Sequence, residues 1–479
     1  MYNAYITRIK NMHKHPNADR LQIGECFGNA VIVSMEYEDN QLGVYFPSDG
    51  QLSVEFAEAN NLLRKKDENG NNIGGYMDPD KRNVTAIKLR GEKSDGLFLP
   101  LKSLESFGDI TTLSEGDRID NFNGHEICCK YVPQKQNRRG HYSEGNKTRK
   151  KKVTTAPLFA EHADTEQLAY NLAAFKTGDE IEITLKMHGT SQRTGYLPVL
   201  KGYKRTFLDW LFRREGKPIY DWGYVSGTRR VVLEDYDGGF YGSNEFREQH
   251  SKVFEGKLNK GETVYYEVVG FTTSGQPIMG DANNKKLNDK EFIKQYGETT
   301  RFSYGCAPEA STTWVVDEDG NDMTLVGRTK QSDIYVYRMT ITNEDGFTVE
   351  YTPDFMRYRC EQMGVKCVPV FWKGIVPEEC EDEDLLEFGL VDGVEEFVKG
   401  MAEKYYDGPD PIGKTHVREG VVVRIINRPK FCAYKHKNWY FKALEGIVKV
   451  EAEAPDIEEA ESVTDDTELS KENLNELPY

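Results

Sequence analysis

An alternating apolar stretch, "DEIEITL", runs into "KMHGTS", which puts a lysine at the end of a strand with a histidine, a glycine and two hydroxyls behind it (Lys186, His188, Gly189, Thr190, Ser191). An amine attacks an electrophile only when unprotonated, so a lysine in such a place becomes a nucleophile where desolvation or neighbouring cations disfavour its charge. Five stretches downstream supply groups suited to a phosphate: "SGTRR" (226–230), "YYEVVG" (265–270), "IYVYRM" (334–339), "EGVVVR" (419–424) and "YKHKN" (434–438). Arg229 offers a fork of donors, and Glu267 and Glu419 offer carboxylates that only accept. Lys435 and Lys437 point to one side of a strand by alternation. Taken singly, each stretch is a strand with charged ends or a turn. Their joint order over Lys186 to Lys437 carries the signal.

In that order the six stretches resemble the motifs of the covalent nucleotidyltransferases, the nucleic-acid ligases and mRNA capping enzymes. The resemblance implies that Lys186 attacks the α-phosphorus of ATP, expels pyrophosphate and holds AMP as a phosphoramidate. It implies that Gly189 lets the backbone turn beside the nucleotide where a Cβ would intrude. Arg229 would donate to ribose or substrate phosphate, and Glu267 would accept from the ribose hydroxyls. Tyr337 would stack on adenine, with Tyr335 the alternative if the alignment slips by two. Glu419 would hold Mg²⁺ (or Mn²⁺) through waters, since magnesium sheds hydration reluctantly. Lys435 and Lys437 would face the α-phosphate and counter the charge that builds there.

Cellular DNA ligases and capping enzymes generally carry an acid two residues after the lysine and continue into a C-terminal OB domain. Here that position is His188, counted with the catalytic residues, and little but an acidic tail follows Lys437. Both features resemble the RNA ligases, and an OB-like domain placed before the catalytic domain, read from the phrases given below, resembles the RNA ligase subgroup with an N-terminal OB-fold domain. Ser191 departs from the Asn that many of them carry. The implied activity is an ATP-dependent RNA ligase joining 3′-hydroxyl and 5′-phosphate ends, acting on RNA or a nicked duplex with an RNA 3′-hydroxyl end. A DNA ligase, and a non-catalytic RNA-binding protein with a degenerate ligase domain, stand as alternatives.

These residues must be positioned by a chain of 479 residues, long enough for two or three domains. The fold class expected is α+β: an N-terminal OB-like β-barrel, then a nucleotidyltransferase domain of antiparallel sheets flanked by helices. Residues 1–134 read as short strands between turns, such as "NAYITRI", "LQIGECF" and "LGVYF", broken by the helix-like "SVEFAEANNLL". Two phrases there, "HPNADRLQIGEC" and "LRGEKSDGLFL", resemble the paired signatures of tRNA-binding OB folds. Residues 135–154 read as a basic linker able to contact phosphates, 155–447 as the ligase domain, and 448–479 as an acidic, solvated tail. The segment 272–333 is longer than the family core needs and receives no role.

The net charge of −17 is therefore unevenly spread. No apolar run is long enough for a membrane span and the N-terminus has no secretory apolar region, so the chain reads as cytoplasmic. The eight cysteines are scattered without a C-x-x-C, which argues against a disulfide framework. "HEICC" (125–129) has half the ligands of a zinc site and no second pair to complete it.

Overall fold

The computed structural model describes residues 2–66, 72–132, 155–163, 165–207, 216–235, 241, 243–316, 323–377 and 393–451. The expected basic linker and all but the first four residues of the expected acidic tail lie outside them. The chain divides into two compact units. One takes the described residues of Met1–Gln136, Ala282–Thr300 and Lys437–Pro455, and the other those of Asn137–Asp281, Arg301–His436 and Asp456–Tyr479.

In the first unit the alternating runs become short antiparallel strands. Leu97–Pro100, Leu42–Phe46, Ala4–Arg8 and Arg118–Ile119 form one sheet in that order, and Lys10–Lys14, Leu21–Cys26 and Asn29–Ser34 form another. The chain leaves the first sheet at Ile9 and enters the second at Lys10. Among the described residues these strands of two to six residues fall into separate small sheets. The helix Val54–Ala59, capped by the Ser53 hydroxyl, buries Phe56 and Ala57 against Ile6, Val44 and Phe46.

The two phrases singled out in this unit meet in space. His15 is buried, accepts the Asn17 N–H on Nδ1 and so donates from Nε2 to the Leu89 carbonyl at 3.1 Å, while Asn17 donates to the Arg90 carbonyl. The "HEICC" residues have other partners. His125 pairs with Glu55, burial pushes the Cys128 thiol up to about 12, and no cluster of three or more metal-binding side chains occurs among the described residues.

The second unit is built on two antiparallel-rich sheets. One orders Glu166–Gln167, Cys432–Lys437, Gly420–Ile425, Glu180–Lys186 and Val370–Ile375. The other orders Lys217–Gly227, Thr190–Lys204, Glu262–Gly270, Ser332–Thr342 and Thr348–Glu350. The first packs Ile181, Ile183, Val421 and Val423 against Phe397, Val398 and Met401 of the helix Val394–Tyr406. The second packs Val264, Tyr266, Val268 and Val336 against Phe246 of the helix Glu245–Lys252 and Met356, Cys360 and Met363 of the helix Pro353–Met363. That last helix starts where the Thr352 hydroxyl accepts the Phe355 N–H, with Pro353 in its first turn, and stops at Gly364 (φ 69°). Among the described residues no helix is long and apolar enough to cross a membrane.

Candidate active site

Strand register brings the first and fifth motifs together. Lys186, last residue of its strand, is opposite Gly420, so Glu419 arrives beside it. The Lys186 Nζ lies 2.6 Å from Glu419 Oε1, with the lysine side chain 22% exposed and the glutamate 2%. His188 Nδ1 is 3.9 Å from Glu419 Oε2, a charge neighbour and not a hydrogen bond.

The chain crosses from one sheet to the other at Gly189. A Cβ there would fall 2.4 Å from the Val268 carbonyl oxygen and 2.8 Å from Glu267 Cγ, so a neighbouring strand and a motif carboxylate fill the space a side chain would need. The next strand runs with Ser191 opposite Glu267. Ser191 Oγ is 2.6 Å from the Tyr337 hydroxyl. Tyr337 sits at a bulge, between Val336 opposite Tyr266 and Arg338 opposite Tyr265. Tyr335 is buried opposite Glu267 with Lys366 over its ring, so the residue that meets the first motif is Tyr337.

His162 joins two of these parts. Its ring is 5.1 Å from that of Tyr337, and its Nδ1 accepts from Arg338 at 3.1 Å. Burial, then the charges of Arg338, Arg229, Arg193 and Arg424, hold it well below the usual histidine range, so it is neutral. Arg229, which follows the strand Lys217–Gly227, is close enough to His162 for its charge to act there. Lys435 is on the strand next to Gly420–Ile425, which Glu419 immediately precedes, and is opposite Gln167. Lys437 is paired with Glu445 at 2.8 Å, within the first unit.

Several residues around the site have no motif to announce them. Arg247 is fully buried and donates to Thr190 Oγ1 at 2.7 Å and to the Ser191 carbonyl at 3.2 Å, bracing the turn. Phe302 and Tyr304, from the segment left without a role, wedge against the same turn. The Tyr304 hydroxyl accepts the His188 N–H at 2.6 Å, and Phe302 meets the His188 ring edge to face at 4.7 Å. Both aromatic rings also contact His416, a buried residue just ahead of Glu419. Burial, then the negative charges of Asp410, Glu419 and Glu267, push the Tyr304 phenol well above its ordinary value, so it stays protonated. The left-handed backbone of Tyr304 (φ 48°) followed by Gly305 (φ 78°) was the only local sign, and a sequence does not display it.

A lysine, an adjacent carboxylate, a side-chain-free turn and a flanking arginine can hold a nucleoside triphosphate with its phosphates toward Nζ. Mg²⁺ or Mn²⁺ needs only one or two carboxylates when waters and phosphate oxygens complete its shell, and the oxygen donor of Glu419 fits that demand.

The fold is similar to that of solved RNA ligase structures. The relatives concerned are solved structures of the RNA ligase of Naegleria gruberi. A point mutant with AMP and Mn matches at TM-score 0.50 and 16% identity, over 92% of this chain and 98% of that one. A mutant with ATP and Mn matches at 0.50 and 15%, over 94% and 99%. A third, also with ATP and Mn, matches at 0.50 and 15%, over 93% and 98%. No protein-family model and no curated protein matches the chain.

Proposed function

We propose that this chain is an ATP-dependent RNA ligase that joins 3′-hydroxyl and 5′-phosphate ends. The observation that carries the reading is Lys186 held 2.6 Å from Glu419 beside a turn that only glycine fits, in a fold shared with RNA ligases. In the first step Lys186 Nζ bonds to the α-phosphorus as the bond to pyrophosphate breaks. AMP then passes to the RNA 5′-phosphate, forming a P–O–P bond as the P–N bond breaks. Last, the 3′-hydroxyl attacks that phosphorus and AMP leaves.

The chain's own groups orient these steps. Gly189 and Ser191 shape the nucleotide cradle, Tyr337 offers a ring to adenine, Glu267 accepts from ribose, and Arg229 donates to ribose or phosphate. Lys435 and Lys437 are assigned to the phosphate. A divalent ion held through Glu419 would neutralise charge on the phosphate oxygens. Residues 1–134 are assigned to nucleic acid through an OB-like surface, and the substrate to a nick with an RNA 3′-hydroxyl strand.

The test is incubation with α-labelled ATP and Mg²⁺. A covalent label that survives denaturation and is absent from Lys186→Ala supports the reading; no label on the wild-type chain overturns it. Matched nicks with ribo or deoxyribo ends on the 3′-hydroxyl strand then settle the substrate. A site that hydrogen-bonds the 2′-hydroxyl rejects an end lacking it. Equal sealing of an all-DNA nick makes the protein a DNA ligase.

A further inference from the structure

We propose that the outer half of the hairpin made by Thr190–Lys204 and Lys217–Gly227 is an arm that grips the sugar–phosphate backbone of the RNA at a distance from Lys186. This rests on the ligase reading for the identity of the polyanion. At its base the hairpin carries two of the motif turns, Lys186–Ser191 before one strand and Ser226–Arg230 at the end of the other. Thr190 to Gly195 pair with the Glu262–Gly270 strand on the other side, but from Leu197 to Lys204 the ladder is with Lys217–Gly223 alone. Leu200 adds one backbone bond to Thr155. At about 3.3 Å per residue this outer part extends roughly 25 Å.

Leu197 is buried with Ala156, Phe159 and Val225, and Val199 packs against them, so it is from Lys201 outward that the hairpin leaves the core. Lys201, Tyr203, Lys204, Arg205, Lys217 and Ile219 are exposed. The described part of the arm has four cations, Lys201, Lys204, Arg205 and Lys217, against Asp221. None of the four forms an ion pair with another described residue. In a chain of net charge −17, a bare concentration of cations is what would let a polyanion approach.

The register sorts the arm into two faces. Lys204 is opposite Lys217 and Val199 opposite Asp221 on one; Pro198 is opposite Trp222 and Tyr203 opposite Pro218 on the other. On that second face Tyr196 stacks on Tyr224 at 4.7 Å, Trp222 lies 5.9 Å from Tyr196, and Lys260 sits 5.2 Å over the Trp222 ring. The rings lie on the face opposite Lys204 and Lys217, with Tyr196 and Tyr224 packed on the core, so it is the exposed Lys201, Lys204, Arg205 and Lys217 that would meet the evenly spaced charges of a sugar–phosphate backbone.

The experiment uses the full chain carrying Lys201→Gln, Lys204→Gln and Lys217→Gln together. Fluorescent nicked RNA duplexes are titrated over a salt series, and lysyl-AMP formation is followed without RNA. Expected are unchanged lysyl-AMP, weaker binding of long duplexes by roughly 10- to 100-fold at low salt, and a salt slope shallower by about two. Duplexes with arms too short to extend roughly 25 Å beyond the nick should bind both proteins alike. Unchanged affinity and slope on long duplexes would overturn the arm. So would loss of lysyl-AMP alongside binding, which would make the residues part of the catalytic fold, or equal competition by polyglutamate, which would make the partner an acidic protein. If the wild-type chain forms no lysyl-AMP, the ligase reading fails while the RNA titration still decides the arm.

Discussion

Lys186 and Glu419 are 233 positions apart in the sequence yet their charged ends are 2.6 Å apart, because the strand ending in Lys186 pairs with the one that Glu419 immediately precedes. A nitrogen held in that ion pair has no lone pair to offer phosphorus, so leaving the pair is part of becoming a nucleophile. A carboxylate that lets go of the lysine is at the same moment open to a cation of another kind. Lys186→Ala is expected to abolish covalent AMP labelling with the fold retained. Glu419→Gln keeps the size and a hydrogen bond but loses the charge. It should label slowly and need on the order of 10- to 100-fold more Mg²⁺. A magnesium titration of labelling rate checks this, and an unchanged midpoint would remove Glu419 from the metal's surroundings.

Gly189→Ala should fail for a steric reason unrelated to charge. Its Cβ would be 2.4 Å from the Val268 carbonyl oxygen, and backbone in a central strand cannot move aside as a side-chain tip would. The overlap should cost about 1–3 kcal/mol, seen as a lower unfolding midpoint, with ATP binding weakened more than stability alone explains. Wild-type ATP affinity in this variant would mean that the turn does not face the nucleotide.

The motif stretches stood out because chemistry constrains their residue types and order, and the structure brings Lys186 to Glu419 and Ser191 to Tyr337; the strands stood out because alternation tracks burial. "LQIGEC" and "LGVYF" became the strands they read as, and "SVEFAEA" became a helix with its serine cap. What was not legible depends on long-range packing. Arg247 lies on a short polar helix, and its role is visible only when Thr190 and Ser191 are found against its guanidinium. The segment 272–333 carries two separate duties: Phe302 and Tyr304 brace the His188 turn, while Asn283 to Thr299 fold with the first unit. In the N-terminal unit strand spacing announced short strands but not which edges pair.

Tyr304→Phe isolates one hydrogen bond in that brace. The ring contact with His416 is kept while the acceptor for the His188 N–H is lost, leaving a donor at a half-buried turn. An unsatisfied buried donor costs about 1–3 kcal/mol, and the turn next to Lys186 is where that cost should be felt. Lysyl-AMP formation should slow by about 10-fold at saturating ATP with little change in KM, while the unfolding midpoint falls only slightly. A change confined to stability, with labelling rate intact, would reduce Tyr304 to packing.

Asp289 ties the first unit together and gives it a measurable acid limit. Its carboxylate accepts the N–H groups of Glu291 and Phe292, the Lys88 ammonium at 2.6 Å and the Tyr440 hydroxyl at 3.1 Å. It therefore joins the helix Lys290–Tyr296, the strand Ala86–Leu89 and the helix Trp439–Glu451, where Lys442 meets Asp95 and Tyr440 stacks on Phe292. Burial alone would raise the carboxyl, but the Lys88, Phe292 and Tyr440 donors outweigh it and hold it at about 2, below its ordinary 3.8. A carboxylate lowered by folding stabilises fully above its unfolded value and loses that contribution as pH falls toward the folded one. Stability should accordingly drop between about pH 4 and pH 2, and Asp289→Asn should flatten that window while lowering stability at neutral pH. A cut before Thr155 would remove Lys88 and Asp95 and leave Asp289, Lys442 and the Phe292–Tyr440 stack without their cover. The fragment from 155 onward, although it holds every motif, should be less stable than the full chain. Thermal unfolding of the two chains across pH checks both points, and an identical acid profile for Asp289→Asn would show that the network carries no net stability.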